Sequence, residues 1–192
     1  MEIANRYYQS NIPVDYWDRE MKNFDGPSAL KKRYDQIVKS IDDSYSSGVR
    51  YCFAGGHGTG KSMTVCNVLK RAVETGRYSA LYVNLTDIVN VLLSPQTDKV
   101  VARKYLLETD FLAIDEVDTR FMGSENAADL FGRLLEPVIR TRIQNRMPLL
   151  MCTNSPNMTK GFSGPLQASL ESLMKVVKVT PAPGKDARER FK

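Results

Sequence analysis

Short apolar runs alternate with longer amphipathic stretches along most of this chain. The runs are nearly continuous in apolar character, as expected for strands that a parallel sheet buries on both faces. Helix-length connections between such strands predict right-handed crossovers and a doubly wound α/β fold, with a five-stranded parallel sheet flanked by helices. The five predicted strands are Tyr51–Ala54, Ala80–Val83, Phe111–Ile114, Leu149–Cys152 and Val176–Val179.

Apolar residues recur at helical spacing in three other stretches. The first is a predicted helix over residues 28–45, with Ser28 as its N-cap. The second ends near Gly76, and the third contains Pro137, which should kink the helix near Arg133. This pattern divides the chain into an N-terminal arm and leading helix (1–45), a core (46–180) and a basic C-terminal tail (181–192).

The composition excludes several classes of protein. Hydrophobic residues make up 42% and charged residues 26% of the 192 positions, which fits one globular domain. No apolar run approaches the roughly 20 residues of a membrane span, and the N-terminus lacks the apolar core of a secretion signal. We therefore expect a cytoplasmic protein with no membrane partner. The net charge of +5 is compatible with nucleic-acid binding but does not establish it.

The cysteines and the histidine offer little for metal or disulfide chemistry. Cys52, Cys66 and Cys152 lack the spacing of a zinc site or a disulfide framework, so we predict that they are buried apolar residues. His57 is the only histidine. It occupies a free position of the motif described next, and we predict a solvent-facing loop side chain.

One segment matches the phosphate-binding pattern G-x-x-x-x-G-K-[ST] at every fixed position, between a predicted strand and a predicted helix. Its glycines let several backbone N–H groups point at a phosphate, and the helix N-terminus adds positive potential there. Lys61 should reach the β- and γ-phosphates, and Ser62 should bind Mg²⁺. The residues predicted to contact ATP are Gly55, Gly56, His57, Gly58, Thr59, Gly60, Lys61, Ser62 and Met63.

Polar residues follow two other predicted strands. Asp115 and Glu116 directly follow the third strand, and Asn154 follows the fourth. Because the carboxyl ends of parallel strands meet at one edge of the sheet, these residues should lie beside the phosphates. Asp115 is the predicted Mg²⁺ ligand, and Glu116 should orient and polarise the attacking water. Asn154 should hold that water and sense the γ-phosphate, or it caps the turn that it opens. The predicted catalytic residues are Lys61, Glu116 and Asn154.

Basic residues form two further groups. Arg140, Arg142 and Arg146 precede the fourth strand, with Arg133 upstream of them. They contact DNA phosphates or a neighbouring subunit's nucleotide, or they form a solvated helix face. The stretch Leu92–Lys104 is a second candidate for DNA contact.

Taken together, these motifs resemble the AAA+ helicase-loader family, the DnaC-like proteins, and the related IstB-like transposition ATPases. The similarity runs from about residue 12 to residue 179. It implies that 46–180 is an AAA+ ATPase core without a large helical lid. It also implies ATP-dependent self-association into a spiral or ring on single-stranded DNA, and delivery of a hexameric replicative helicase onto that DNA. The matching pieces are Ile12-Pro13-x-x-Tyr16-Trp17, the phosphate loop, Ile114–Val117, Arg142-x-x-x-Arg146-x-Pro148, Cys152–Ser155 and, faintly, Gly184-x-Asp186-x-Arg188.

Two departures from the family pattern change what the resemblance implies. The family has two arginines after the strand that ends in Asn154, the first of which enters the neighbouring subunit's ATP site. The matching positions here are Ser169 and Leu173, so we expect slow hydrolysis by the protein alone. Loaders of the family also carry a separate N-terminal domain that grips the helicase, whereas here a short arm precedes the core.

Three other functions remain open from the sequence. One is a transposition ATPase that binds duplex DNA and recruits a transposase. Another is an ATP-gated adaptor or inhibitor of a replication partner, with little hydrolysis. A small-molecule kinase would need an acceptor pocket and mobile lid arginines, for which the sequence gives no pattern.

Overall fold

The computed structural model describes residues 2–96, 98–118 and 125–184, without the side chains of 125–127. It contains a single five-stranded, all-parallel sheet with the strand order β2-β3-β4-β1-β5. The predicted fold class and the existence of all five strands are confirmed. The strands are β1 (Arg50–Ala54), β2 (Ala80–Asn84), β3 (Phe111–Asp115), β4 (Leu149–Thr153) and β5 (Lys178–Pro181).

Helices cover both faces of this sheet. None of the helices in the described ranges is long and apolar enough to cross a membrane. They are α1 (Glu2–Gln9), α2 (Ser28–Val38), α3 (Ile41–Ser46), α4 (Lys61–Glu74), α5 (Leu85–Leu93), α6 (Lys99–Glu108), α7 (Glu125–Gln144) and α8 (Gly164–Met174), with short 3₁₀ turns at Val14–Tyr16 and Met21–Asn23.

The alternation of side chains along each strand builds two cores. Phe111 and Ala113 of β3 join the cluster that packs beneath α2 and α4. Leu112 and Ile114 join the opposite cluster, beneath α5, α7 and α8. Because successive strand residues face opposite sides, Asp115 faces the α4 side of the sheet. The strand pattern alone thus directs this carboxylate toward the phosphate-binding loop.

The N-terminal segment packs onto the core. Tyr7, Ile12, Leu30 and Ile37 are all buried in the cluster under α4. Its Asn11 side chain and the Ser10 carbonyl also bond the backbone of the outer strand β2. The arm therefore covers an otherwise open edge of the sheet. The predicted division between the N-terminal segment and the core near residue 45 stays a prediction.

The single helix predicted over 28–45 is wrong, because the structure has two helices with a break after Lys39. Ser40 adopts extended backbone and its hydroxyl accepts a hydrogen bond from the Asp43 N–H, which caps α3. Ser28 is the first residue of α2 and not its N-cap, since Pro27 occupies that position. Apolar periodicity continues across the break and therefore could not reveal it.

The last strand begins two residues later than predicted. Val176 and Val177 lie in the turn that ends α8, where their N–H groups bond the carbonyls of Leu173 and Met174. α7 continues through Pro137 as one helix, and the predicted kink stays a prediction. Most of the predicted tail 181–192, including the Asp186 and Arg188 positions, lies outside the described residues.

Candidate nucleotide-binding site

The phosphate-binding loop connects β1 to α4 as the sequence predicts. Gly60 occupies the N-cap position of α4 with φ 92°, a left-handed conformation that disfavours any side chain. Gly55 approaches the chain after β5 so closely that a Cβ on it would lie 2.2 Å from the Ala182 carbonyl oxygen. The Thr59 hydroxyl donates to the Gly56 carbonyl at 3.0 Å. The loop is thus wrapped tightly at the start of a helix whose first N–H groups have no side-chain cap.

Lys61 extends back into this loop and is buried. Its ammonium group donates to the carbonyls of Gly55 at 2.8 Å and Gly56 at 2.7 Å, and to Asn154 Oδ1 at 2.9 Å. These three acceptors are neutral oxygens. Lys61 and Asn154, which are far apart in sequence, therefore meet at the mouth of the loop.

The other predicted ATP-contacting residues surround the same loop with different exposure. His57 is exposed, in line with the predicted loop side chain. Met63 and Ser62 are half-buried in the first turn of α4.

Asp115 is buried at the carboxyl end of β3, and both of its oxygens accept hydrogen bonds. The Tyr82 hydroxyl donates to Oδ2 at 2.7 Å, and the Glu116 N–H donates to Oδ1 at 2.7 Å. Burial and the neighbouring Asp115 raise the pKa of Tyr82 well above its ordinary value, so this phenol remains a donor. These bonds hold the carboxylate in one orientation.

Glu116 is exposed and has φ 55°, which is uncommon for a residue with a Cβ. The following Val117 N–H donates to the Cys152 carbonyl at 2.9 Å, which holds this turn against β4. The left-handed backbone of Glu116 thus turns the chain sharply, directly after Asp115. Backbone strain of this kind concentrates at functional sites.

Asn84 marks the neighbouring strand end. It pairs in register with Asp115 across β2 and β3. Over the described ranges, its Oδ1 is the buried side-chain polar atom that lacks a hydrogen-bond partner. An orphaned oxygen beside a carboxylate is what a hydrated Mg²⁺ ion would satisfy, because Mg²⁺ prefers oxygen ligands and keeps several waters. The residues present therefore fit the predicted ion.

The N-terminal lead-in also reaches this site. Tyr16 lies close to Ser62 and Asp115, the two predicted metal ligands. The pKa of Tyr16 is raised, chiefly by burial. The Phe24 ring lies over Gly60, where a Cβ would be 2.3 Å from Phe24 Cε2.

Sequence reasoning missed Tyr16, Phe24, Tyr82 and Asn84 as residues of this site. Asn84 could have been found by the rule that found Asn154, since both are amides at the carboxyl ends of strands. Tyr16 was noticed only as part of the family's lead-in. No local sequence pattern predicts the contacts of Phe24 or Tyr82, because each contact joins residues that are far apart in sequence.

The arginine group divides in a way that neither interpretation anticipated. Arg142 is fully buried, and its guanidinium donates to the carbonyls of Leu106, Asp110 and Pro148. For Arg142 both the DNA-contact and the solvated-face interpretations are therefore wrong. Arg140 and Arg146 are exposed, as is Arg133.

The two positions matched to the family's arginines lie on α8. Ser169 donates to Glu136 at 2.7 Å and accepts from Arg140 at 3.0 Å. Leu173 packs against the core under α7 and α8. The three cysteines are buried, as predicted, and burial raises the pKa of Cys52 to about 12.

No protein-family model matches the chain, and no curated protein matches it in sequence. Solved structures nevertheless share its architecture. The DnaC helicase loader superposes with a TM-score of 0.69 at 14% identity, covering 88% of this chain and 99% of the loader chain. DnaI gives a TM-score of 0.73 at 12% identity, covering 93% and 98%.

The chain shares the α/β fold of these proteins. The replication initiator DnaA, solved with AMPPCP and single-stranded DNA, gives a TM-score of 0.67 at 16% identity. Here the match covers 91% of this chain and 51% of DnaA, so the chain corresponds to about half of the initiator. The resemblance drawn from the sequence motifs is thereby confirmed at the level of the fold.

Proposed function

We propose that this protein is an ATP-dependent DNA-replication ATPase that acts as a helicase loader or a loader-like factor and assembles on single-stranded DNA. The fold supports this proposal, because it matches DnaC and DnaI over 99% and 98% of their chains. The AMPPCP and single-stranded DNA bound to DnaA in its solved structure support the same choice of nucleotide and nucleic acid. The partners of this activity are a hexameric replicative helicase, single-stranded DNA and further copies of this chain.

The observation that carries the proposal is the meeting of Lys61 and Asn154 at the carboxyl edge of the sheet. Lys61 exchanges its carbonyl and amide partners for the β- and γ-phosphate oxygens when ATP binds. Asn154, released from Lys61, is then able to orient a water beside the γ-phosphate.

Ser62 and Asp115 would hold Mg²⁺, which neutralises charge on the phosphates. Tyr82 and the Glu116 N–H orient the Asp115 carboxylate for this purpose. The exposed Glu116 side chain, on its left-handed backbone, is the proposed group that polarises the attacking water.

A second candidate is an ATP-gated adaptor or inhibitor that hydrolyses slowly. The packing of Leu173 into the core and the presence of serine at position 169 favour it, because neither side chain supplies a cation to a neighbour. A trans arginine is worth roughly 10³–10⁵ in turnover in other phosphoryl-transfer systems. Turnover per subunit that stays constant as protein and DNA concentrations rise would favour the adaptor, and turnover that climbs steeply would favour an assembled ATPase.

The deciding experiment is co-purification with a hexameric replicative helicase, with and without ATP, for the wild-type chain and for Lys61→Ala. We expect co-elution of the wild type that depends on ATP, and none with the variant. Absence of co-elution under both conditions would contradict the loader.

DNA binding by the same preparation separates the remaining functions. Salt-sensitive binding to single strands supports the loader. A preference for duplex DNA supports an IstB-like transposition ATPase. Tight binding to the partner without DNA binding supports the adaptor.

A further inference from the structure

The outer face of α2 and the neighbouring edge strand β5 form a basic surface. Leu30 and Ile37 bury the inner side of α2 in the core, so the polar residues of this helix face outward. The segment 28–39 carries one carboxylate, Asp35, which is exposed. The cations of this surface, which are half-buried or exposed, are Lys31, Lys32, Arg33, Lys39 and Lys178.

Tyr51, which is buried in β1, holds two of these cations side by side. The Arg33 guanidinium carbon lies 4.6 Å from the centre of the Tyr51 ring, and Lys178 Nζ lies 5.9 Å from it. Arg33 also donates from Nε to Thr180 Oγ1 at 3.3 Å and from Nη1 to Gln36 Oε1 at 2.6 Å. An aromatic face attracts a cation without neutralising its charge. The helix and the edge strand therefore present their positive charges together.

No carboxylate neutralises this surface through an ion pair. Within the described residues, none of its five cations forms a salt bridge. Lys31 donates instead to the Met21 carbonyl at 3.0 Å. Other basic residues of the same ranges do pair with carboxylates, namely Arg6, Lys22, Arg71, Arg77, Lys104 and Arg140. A concentrated positive potential therefore persists along α2 and β5.

The surroundings of these cations favour one class of partner. Residues 15–90, all of which the structure describes, contain no exposed large hydrophobic side chain. Val179 is exposed next to Lys178, but strand alternation directs it to the opposite face of β5. A stable protein interface would need an apolar or aromatic centre here, and a single strand of nucleic acid would need exposed aromatic rings on which its bases stack.

Duplex DNA makes neither demand, because its phosphate backbone binds cations irrespective of sequence. Lys32 and Lys39 are separated by about 10 Å along the helix axis. Over that length one strand of a duplex presents about three phosphates. The spacing of the exposed lysines therefore suits a row of phosphates.

We propose that the outer face of α2, together with Lys178, binds the phosphate backbone of duplex DNA without reading its sequence. This inference goes beyond the proposed function, which names single-stranded DNA, and it does not require ATP. A chain that assembles on a single strand thereby also contacts the duplex beside it.

The test measures affinity for a labelled duplex of arbitrary sequence by fluorescence anisotropy, without nucleotide, over a series of salt concentrations. The wild type is compared with Lys32→Gln/Lys39→Gln and with the control Lys99→Gln/Lys104→Gln, which removes the same charge from exposed positions of α6. We expect the α2 variant to bind about 10-fold more weakly at low salt. The slope of log affinity against log salt should fall by about 2, since each phosphate contact contributes about 0.9. The α6 control should keep the wild-type duplex affinity, and the α2 variant should keep the wild-type affinity for a single strand of the same length.

Asp35→Asn should change the affinity in the opposite direction. It removes the carboxylate that repels phosphate, so we expect duplex binding to tighten by about 2-fold at low salt, a gain that misfolding does not produce. An equal loss in both double variants would reveal a general effect of net charge and overturn the inference. Unchanged duplex affinity in the α2 variant, an equal loss for single strands, or a wild type that binds no duplex at low salt would also overturn it. Failure of the proposed function would appear instead as absent single-strand binding and absent co-elution with the helicase, so the two failures are distinguishable.

Discussion

Each face of the sheet buries a cation against backbone carbonyls, and the two cations differ in what their partners can do. On the α4 face, Lys61 donates to two carbonyls of a surface loop and to Asn154. On the opposite face, Arg142 donates to the carbonyls of Leu106, Asp110 and Pro148. Both arrangements satisfy a charge that would otherwise be costly to bury.

The location of the acceptors explains the difference. The partners of Arg142 lie near the end of α6 and before β3 and β4, so one guanidinium ties three segments together. The two carbonyl partners of Lys61 lie in a loop whose Gly56 is exposed, and under the proposed function they are exchanged for phosphate oxygens. A buried cation is therefore a functional group where its acceptors are replaceable, and a structural one where they terminate elements of the fold.

The largest expected effect is on stability, from Arg142→Met. Methionine fills similar volume but leaves the three carbonyls without their charged donor, so we expect the free energy of unfolding to fall by about 3–5 kcal/mol. Urea unfolding followed by circular dichroism measures the change. A loss below about 1 kcal/mol would show that water replaces the guanidinium and that this face is not tied through Arg142.

Lys61→Ala should act on function and leave the fold intact. Loss of the ammonium that binds the phosphates should reduce turnover by about 10²-fold or more, the scale for removing one preorganised donor. ATP hydrolysis and AMPPCP binding measure the effect, with circular dichroism as the control for folding. Wild-type nucleotide affinity in this variant would contradict the assignment of the loop.

Lys70→Met tests whether a third buried cation, Lys70, has a structural role like that of Arg142. Its ammonium holds three carbonyls of the lead-in, and burial lowers its pKa. We expect a loss of about 1–3 kcal/mol in unfolding free energy. Trp17, the only tryptophan, should also shift its emission to the red as the lead-in loosens. An unchanged emission spectrum would mean that packing alone holds the turn.

Arg140→Ala should have the smallest effect on stability. Its ion pair with Glu136 is between side chains that are 46% and 15% exposed, so we expect a change of less than about 1 kcal/mol. Urea unfolding of Arg140→Ala, measured alongside Arg142→Met, compares the contributions of two arginines of the same helix to stability. A loss as large as that of Arg142→Met would remove the distinction between them.

The phosphate loop could be predicted position by position, because its backbone geometry demands glycine, lysine and serine at fixed spacing. The strands could be predicted because burial on both faces imposes continuous apolar runs. The helix break before Ser40 was not predicted, because the helical spacing of apolar residues continues across it. The start of β5 was predicted too early, because Val176 and Val177 are apolar residues of a turn that were assigned to the strand.

Contacts between distant segments account for what was missed in the site. The bond of Tyr82 to Asp115 and the packing of Phe24 over Gly60 join residues from different elements, and no spacing along the chain encodes them. Arg142 was misassigned for the same reason, because a charged residue on a helix gives no local sign of burial. The site residues named from motifs lie together at one edge of the sheet, while the residues that orient them emerged only from packing.

The strand order has a consequence for folding during translation. β1, which delivers the phosphate loop, lies between β4 and β5, and the Ala182 N–H donates to the Ala54 carbonyl at 2.7 Å. During translation the loop emerges from the ribosome long before either neighbouring strand exists. The strands on both sides of β1 are therefore in place only after synthesis has passed residue 182, and the proposed nucleotide site is completed last.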